Sequence, residues 1–246
     1  SAFTIMGIAV GGSFFIGFLA GPYFASLYSF KSLFILLLAF GIIATFITFL
    51  YYPNDLKQSK KVSKISFKYN NKLVQIYLGS FFLSLILSIM LYVFPLIWRD
   101  LGTLNEDLFS TYLKIFLPAA IIIYPSIRFF EKIKKVNIAI NLGWFFLIVA
   151  FLAYILLPSN IYSFYSLGIL FFLGSSVFQS LLPSLLSLNV SSDLRATGNG
   201  PFYIMNFLGH AVGSIFAGAI YMKDFYFGFD KNFLICIICI FLIALW

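Results

Sequence analysis

The sequence predicts an all-α membrane protein, a polytopic bundle of apolar helices, and three observations carry that prediction. Of the 246 residues, 62% are hydrophobic and only 10% charged, and the mean hydropathy is +1.02. A soluble domain is about 25% charged and roughly half apolar, so no single soluble core could hide this much Phe, Leu and Ile. The apolar residues fall into eight stretches of about 20 residues, the length that crosses a bilayer core. The basic residues gather in the short connections between those stretches.

The connection at 53–72 sets the direction of the chain. It carries Lys57, Lys60, Lys61, Lys64, Lys68 and Lys72 against one acid, Asp55. Basic loops resist translocation, so this loop is expected on the cytoplasmic side. The other connections then alternate. The region 128–135 (Arg128, Lys132, Lys134, Lys135) and the stretch 189–197 (Arg195) share the side of 53–72, giving eleven Lys and Arg there. Lys31, Arg99, Lys223 and Lys231 lie on the other side, and both chain ends fall on the cytoplasmic side. The net charge of +8 therefore suits an anionic membrane surface and is no signal for nucleic acid.

The spans are expected at 3–27, 31–52, 73–98, 108–130, 137–157, 162–188, 199–222 and 231–246. The stretches 31–52, 137–157 and 231–246 are nearly all apolar and read as lipid-facing all round. The other spans after the basic loop carry small and polar residues at helical spacing. Span 73–98 has Ser80, Ser84, Ser88 and Tyr92 four residues apart. Span 162–188 has Gly174, Ser176, Gln179, Ser180, Pro183, Ser184 and Ser187. Span 199–222 has two adjacent stripes, Asn206–His210–Ser214 and Gly209–Gly213–Ala217. Small residues let helices approach closely, and polar ones avoid acyl chains. Every third helix is thus peripheral, a rhythm of transporters built from three-helix repeats.

The first span holds Gly17-x-x-x-Gly21-Pro22. This core resembles the antiporter motif in the fifth helix of drug/proton antiporters of the major facilitator superfamily. Ala25-Ser26 stand where that motif usually closes with a glycine pair. Ser180-Leu-Leu-Pro-Ser-Leu-Leu-Ser187, Arg195-Ala-Thr-Gly198 and the Gly-rich span that follows resemble helices ten and eleven of bacterial efflux members, the YajR-like branch in particular. The resemblance implies the major facilitator fold with eight of twelve helices present. Residues 1–52 would be the last two helices of the N-terminal bundle, 53–72 the inter-bundle loop, and 73–246 the C-terminal six-helix bundle. Ser1 opens the chain without a basic n-region and Trp246 closes it at a span, so both ends read as cut from a longer protein.

Several residues are candidates for function. Gly17, Gly21 and Pro22 permit tight packing and a bend, and by resemblance they would seal one side of a cavity. Pro183 frees the Gln179 carbonyl, to line a cavity or to mark a kink. Ser84, Ser88, Tyr92, Gln179, Asn206 and His210 are the substrate-cavity candidates. His210, the only histidine, is also the proton-coupling candidate, against the reading of a neutral packing histidine. Lys114 either snorkels to the headgroups or faces the cavity. Arg128, Glu131 and Arg195 are gating-loop candidates by resemblance, or members of a solvated basic loop. Cys236-Ile-Ile-Cys239 sits in an all-apolar span and reads as packing, not as a redox or metal site.

The function read from these residues is alternating-access transport at the inner (plasma) membrane. The resemblance implies proton-coupled efflux of drug-like or amphipathic small molecules by a monomer, with no cofactor and no metal. A nutrient symporter of the same fold is the nearest rival, although few amides are present to match hydroxyls. A non-transporting receptor or scaffold is a rival of another class. An intramembrane enzyme would need a convergent acid, base and nucleophile, and all eight acids lie in loops or at span ends.

Overall fold

The computed structural model describes residues 16–17, 20–21, 23–24, 27–51, 70–101, 110–111, 113–115, 117–119, 136–158, 160–191, 194–221, 225–226 and 229–245. The chain divides into two units, Gly12–Lys68 and the remainder. In the first unit, α1 spans Phe30–Tyr51. Its sequence supplies no polar side chain that needs a tertiary partner. Thr45 and Thr48 donate to the carbonyls of Gly41 and Ala44, each at 2.8 Å, which satisfies both hydroxyls inside the helix, as an apolar medium requires. None of residues 31–51 is buried.

The second unit is built from α2 (Asn71–Asp100), α3 (Val136–Leu156), α4 (Ile161–Asn189), α5 (Arg195–Tyr221) and α6 (Lys231–Leu245). A two-residue hairpin joins the last two, β1 (Phe225–Tyr226) pairing antiparallel with β2 (Phe229–Asp230). Residues 110–111, 113–115 and 117–119 are also helical. Four of these helices, α2 to α5, and α1 in the first unit are long and apolar enough to cross a membrane. With 15 residues, α6 spans about 22 Å.

α3 and α4 form an antiparallel hairpin. Leu157 N still donates to Ala153 O, and the chain then turns so that Asn160 caps α4 by accepting from Ser163 N at 2.9 Å. Ser163 Oγ donates to Pro158 O at 2.6 Å and fixes the turn from the other side. Paired rings run in opposite order along the two helices, Trp144 on Phe178 and Phe151 on Phe171. Between them Gly174 brings the backbones together. A Cβ there would lie 2.7 Å from Leu147 Cγ and 2.8 Å from Gly143 O.

The composition of 137–157 and 231–246 predicts helices exposed to lipid on every side, and the structure corrects this. Ala139, Gly143, Leu147, Ala150, Phe151 and Tyr154 form a buried stripe along α3. Ile235, Cys236, Cys239 and Ile243 do the same on α6. When both faces are apolar, no contrast between them marks which face is covered. The two cysteines form no disulfide and are buried, as the packing reading of Cys236-x-x-Cys239 requires.

The core lies between α2 and α4. Phe94 packs on Phe164 at 4.8 Å and on Phe172 at 6.1 Å between centroids. Gly168 makes room for Phe94 and Ile115, which would stand 2.9 and 2.8 Å from a Cβ at that position.

Candidate functional site

Four polar candidates of the second unit, Ser84, Ser88, Asn206 and His210, converge where α2 meets α5. Gly209 and Gly213 lie on the face of α5 turned toward α2. A Cβ on Gly209 would come 2.3 Å from Phe81 O, and one on Gly213 would come 2.4 Å from Leu85 O. Both obstacles are backbone carbonyls, so only glycine permits this approach. The Gly209–Gly213–Ala217 stripe is therefore a helix–helix contact, and Ala217 is fully buried within it.

Polar side chains run along the same seam as rungs. Tyr77 Oη donates to Gly198 O at 3.1 Å, and Ser80 Oγ to Phe202 O at 3.4 Å. Asn206 Nδ2 donates to Ser84 Oγ at 2.6 Å. Ser88 and Ser214 share a bond of 2.7 Å between hydroxyls. Ser214 already donates its proton to His210 O at 3.0 Å. A hydroxyl has one proton to give, so Ser88 is the donor to Ser214. At the far end the Tyr92 ring meets Tyr221 edge-on at 6.2 Å. Tyr221 Oη donates to Asn232 of α6, closing the seam onto the last helix.

Numbers rise together along the seam, from 77 with 198 to 92 with 221, so α2 and α5 run parallel. Ser84 and Ser88 are buried in it, whereas Tyr92 is 43% exposed at its end. Asn206 is part-buried and divides its surroundings between seam and open face. His210 is half-buried and Ser214 exposed, one and two turns along the same stripe. Tyr203 and Phe207 stand on that open face at 41% and 67% exposure. The structure therefore brings Ser84, Ser88, Asn206 and His210 together, and separates a closed polar seam from an accessible, weakly polar aromatic face.

The other candidates lie elsewhere. Gln179 is partly exposed on α4 and makes none of the seam's hydrogen bonds; Pro183 stands inside that helix, four residues on. The neighbouring serines turn inward on their own helix, Ser180 to Val177 O and Ser187 to Ser184 O. In the first unit Gly17 and Gly21 are helical, and a Cβ on either would meet nothing within 4 Å among the described residues of that unit. Pro22, Arg128 and Glu131 lie outside the described residues. Arg195 begins α5, and its side chain is likewise outside them.

Residues 1–214 match the sequence profile of the Major Facilitator Superfamily. The chain belongs to the Major Facilitator Superfamily. It is also similar to an uncharacterized transporter of Buchnera aphidicola subsp. Baizongia pistaciae (strain Bp), 26% identical over 234 residues. That match covers 91% of this chain and 59% of the relative, so the chain spans well under two-thirds of its relative's length. As a superfamily member it is a multi-pass, all-α membrane protein. Sequence reasoning missed two of its contacts, Tyr77 to Gly198 O and Tyr221 to Asn232. Tyr77 sits one turn before Ser80, so the serine stripe extended backwards would have found it. Nothing in the sequence ties residue 221 to residue 232.

Proposed function

We propose that this chain is the greater part of a secondary active transporter that works by alternating access and exports drug-like or amphipathic molecules in exchange for protons. Family membership and a transporter-named relative support a transporter rather than an enzyme. In this reading residues 1–52 close an N-terminal bundle and 53–72 link it to the bundle of 73–246, in an inner membrane with both chain ends cytoplasmic.

The observation that carries the cargo assignment is the open face of α5. The most apolar 18 residues within Thr197–Tyr221 have a mean hydropathy of 1.4, against 2.8 within Lys31–Tyr51, and only 22% of them are buried. A helix so weakly apolar is poorly suited to acyl chains and suits a wet cavity. Its face offers the rings of Tyr203 and Phe207 beside one imidazole and the Ser214 hydroxyl, which fits a bulky, weakly polar cargo better than a polyhydroxylated one. His210 is the coupling residue of this reading, and Tyr92, Gln179 and Asn206 complete the wall. The sealing motif of this reading is Gly17, Gly21 and Pro22, and its gating residues are Arg128, Glu131 and Arg195.

The test is dye accumulation in cells expressing the gene that contains this chain, with and without an uncoupler. Lower accumulation that the uncoupler abolishes supports proton-driven export. His210→Ala is expected to abolish the uncoupler-sensitive part, and Phe207→Ala to change the ranking of dyes. Unchanged accumulation across a broad dye panel would sink the export reading.

A further inference from the structure

We propose that Lys114, held over the ring of Tyr165, is a binding site for the phosphate of an anionic lipid headgroup at the end of the bundle marked by the α3–α4 turn. The Lys114 Nζ stands 5.7 Å from the Tyr165 ring centroid, within the roughly 6 Å over which a ring face attracts a cation. Two described neighbours of Lys114 are anchored by burial. Thr111 and Ile115 are fully buried, Ile115 against Gly168 of α4. Lys114 itself is exposed on the other side. Its direction is thus set by packing on one flank and an aromatic face on the other.

Depth decides what the ammonium meets. Tyr165 is the fifth residue of α4, about 6 Å along the axis from the helix start. The exposed turn residues Pro158 and Asn160 lie just beyond. Tyr162, 79% exposed, stands in the same first turn, and tyrosines gather where headgroups meet acyl chains. The lysine stem can lift its charge toward that level while its methylenes stay among apolar groups. Below it Leu117, one turn on and 45% exposed, offers an apolar surface for the acyl chain. A free phosphate would have no use for that surface, whereas a lipid uses both the ammonium and the surface.

The test is thermal unfolding of the purified, delipidated protein in neutral detergent, titrated with phosphatidylglycerol, with phosphatidylcholine and with inorganic phosphate. Phosphatidylglycerol is expected to raise Tm for the natural protein and for Lys114→Arg, with phosphatidylcholine doing less. For Lys114→Gln the midpoint of that titration is expected to move to roughly fivefold more lipid. Inorganic phosphate that leaves the lipid response unchanged assigns the site to lipid. Millimolar phosphate that displaces the lipid supports the same anion site with a soluble source. A Lys114→Gln protein that responds to phosphatidylglycerol as the natural one does overturns the proposal. Should that variant not fold, Tyr165→Leu keeps every charge and carries the same test, with an expected weakening of about two- to fivefold; an unaltered response would overturn the proposal equally.

Discussion

At Gly213 the added methyl of alanine would enter the Leu85 carbonyl, and at Gly209 that of Phe81. Neither obstacle can rotate away, so the helices must part. Gly213→Ala is expected to destabilise the protein by about 1–3 kcal/mol, read as a lower midpoint in thermal unfolding in detergent. The rungs contribute less. A double-mutant cycle between Ser84 and Asn206 is expected to give about 0.6 kcal/mol of coupling, because the separated helices also find partners in the membrane. Coupling near zero would show that their 2.6 Å bond adds nothing to the seam. The four-residue spacing of Gly209, Gly213 and Ala217 made this contact legible as a small-residue face. Which helix it met was not legible, because the partner's carbonyls belong to Phe81 and Leu85, which carry no distinguishing side chain. By sequence Ser84 and Ser88 of α2 are cavity candidates, and in the structure they find protein partners. A polar side chain on a membrane helix announces only that it avoids lipid, and a neighbouring helix satisfies that as well as water does.

Among the elements, the α3–α4 hairpin separates two kinds of glycine. Alanine at Gly174 would meet backbone at Gly143 O as well as the Leu147 side chain, whereas at Gly143 its nearest neighbours would be side chains, Phe178 and Val177. Side chains can yield and a carbonyl cannot, so Gly174→Ala is expected to lower the unfolding midpoint more than Gly143→Ala. The reverse order would show that the ring of Phe178, already packed on Trp144 at 4.8 Å, has no freedom left. The positions of α1 to α5 were legible from length and apolarity alone. Their boundaries moved only slightly; α2 begins at Asn71, taking Lys72 out of the basic loop and into its first turn. The covered faces of α3 and α6 were hidden, because burial there depends on shape complementarity and leaves no polar–apolar contrast in the sequence.

For the whole molecule, direction is the quantity that the contacts fix. α2 and α5 are parallel, while α3 and α4, which lie between them in sequence, are antiparallel to each other. Returning to the same direction takes an even number of reversals between α2 and α5, and α3 and α4 alone would give three. That fits the further span expected at 108–130, whose described residues are helical. Single cysteines at Asn70 and Ser191 are therefore expected to label from one side of the membrane, and cysteines at Leu101 and Leu157 from the other. Labelling of all four from one side would contradict the parallel pair. The cytoplasmic assignment of the first two came from lysine placement alone, and the same experiment on oriented vesicles checks it.

The seam also has a history that the finished fold conceals. Ser80 and Ser84 find their partners 122 residues later in the chain, and Ser88 126 later. Synthesis runs from one end, so α2 leaves the ribosome while α5 does not yet exist. At about 5–20 residues per second, that leaves a wait of roughly 6–24 s. During that wait three hydroxyls and a tyrosine must be held by water, by lipid headgroups or by the insertion machinery. α2 is thus a helix whose place in the membrane is settled by a segment that arrives almost last. Chains arrested before residue 195 are expected to leave α2 accessible to cross-linking by the insertion apparatus, and chains extended past residue 221 to release it.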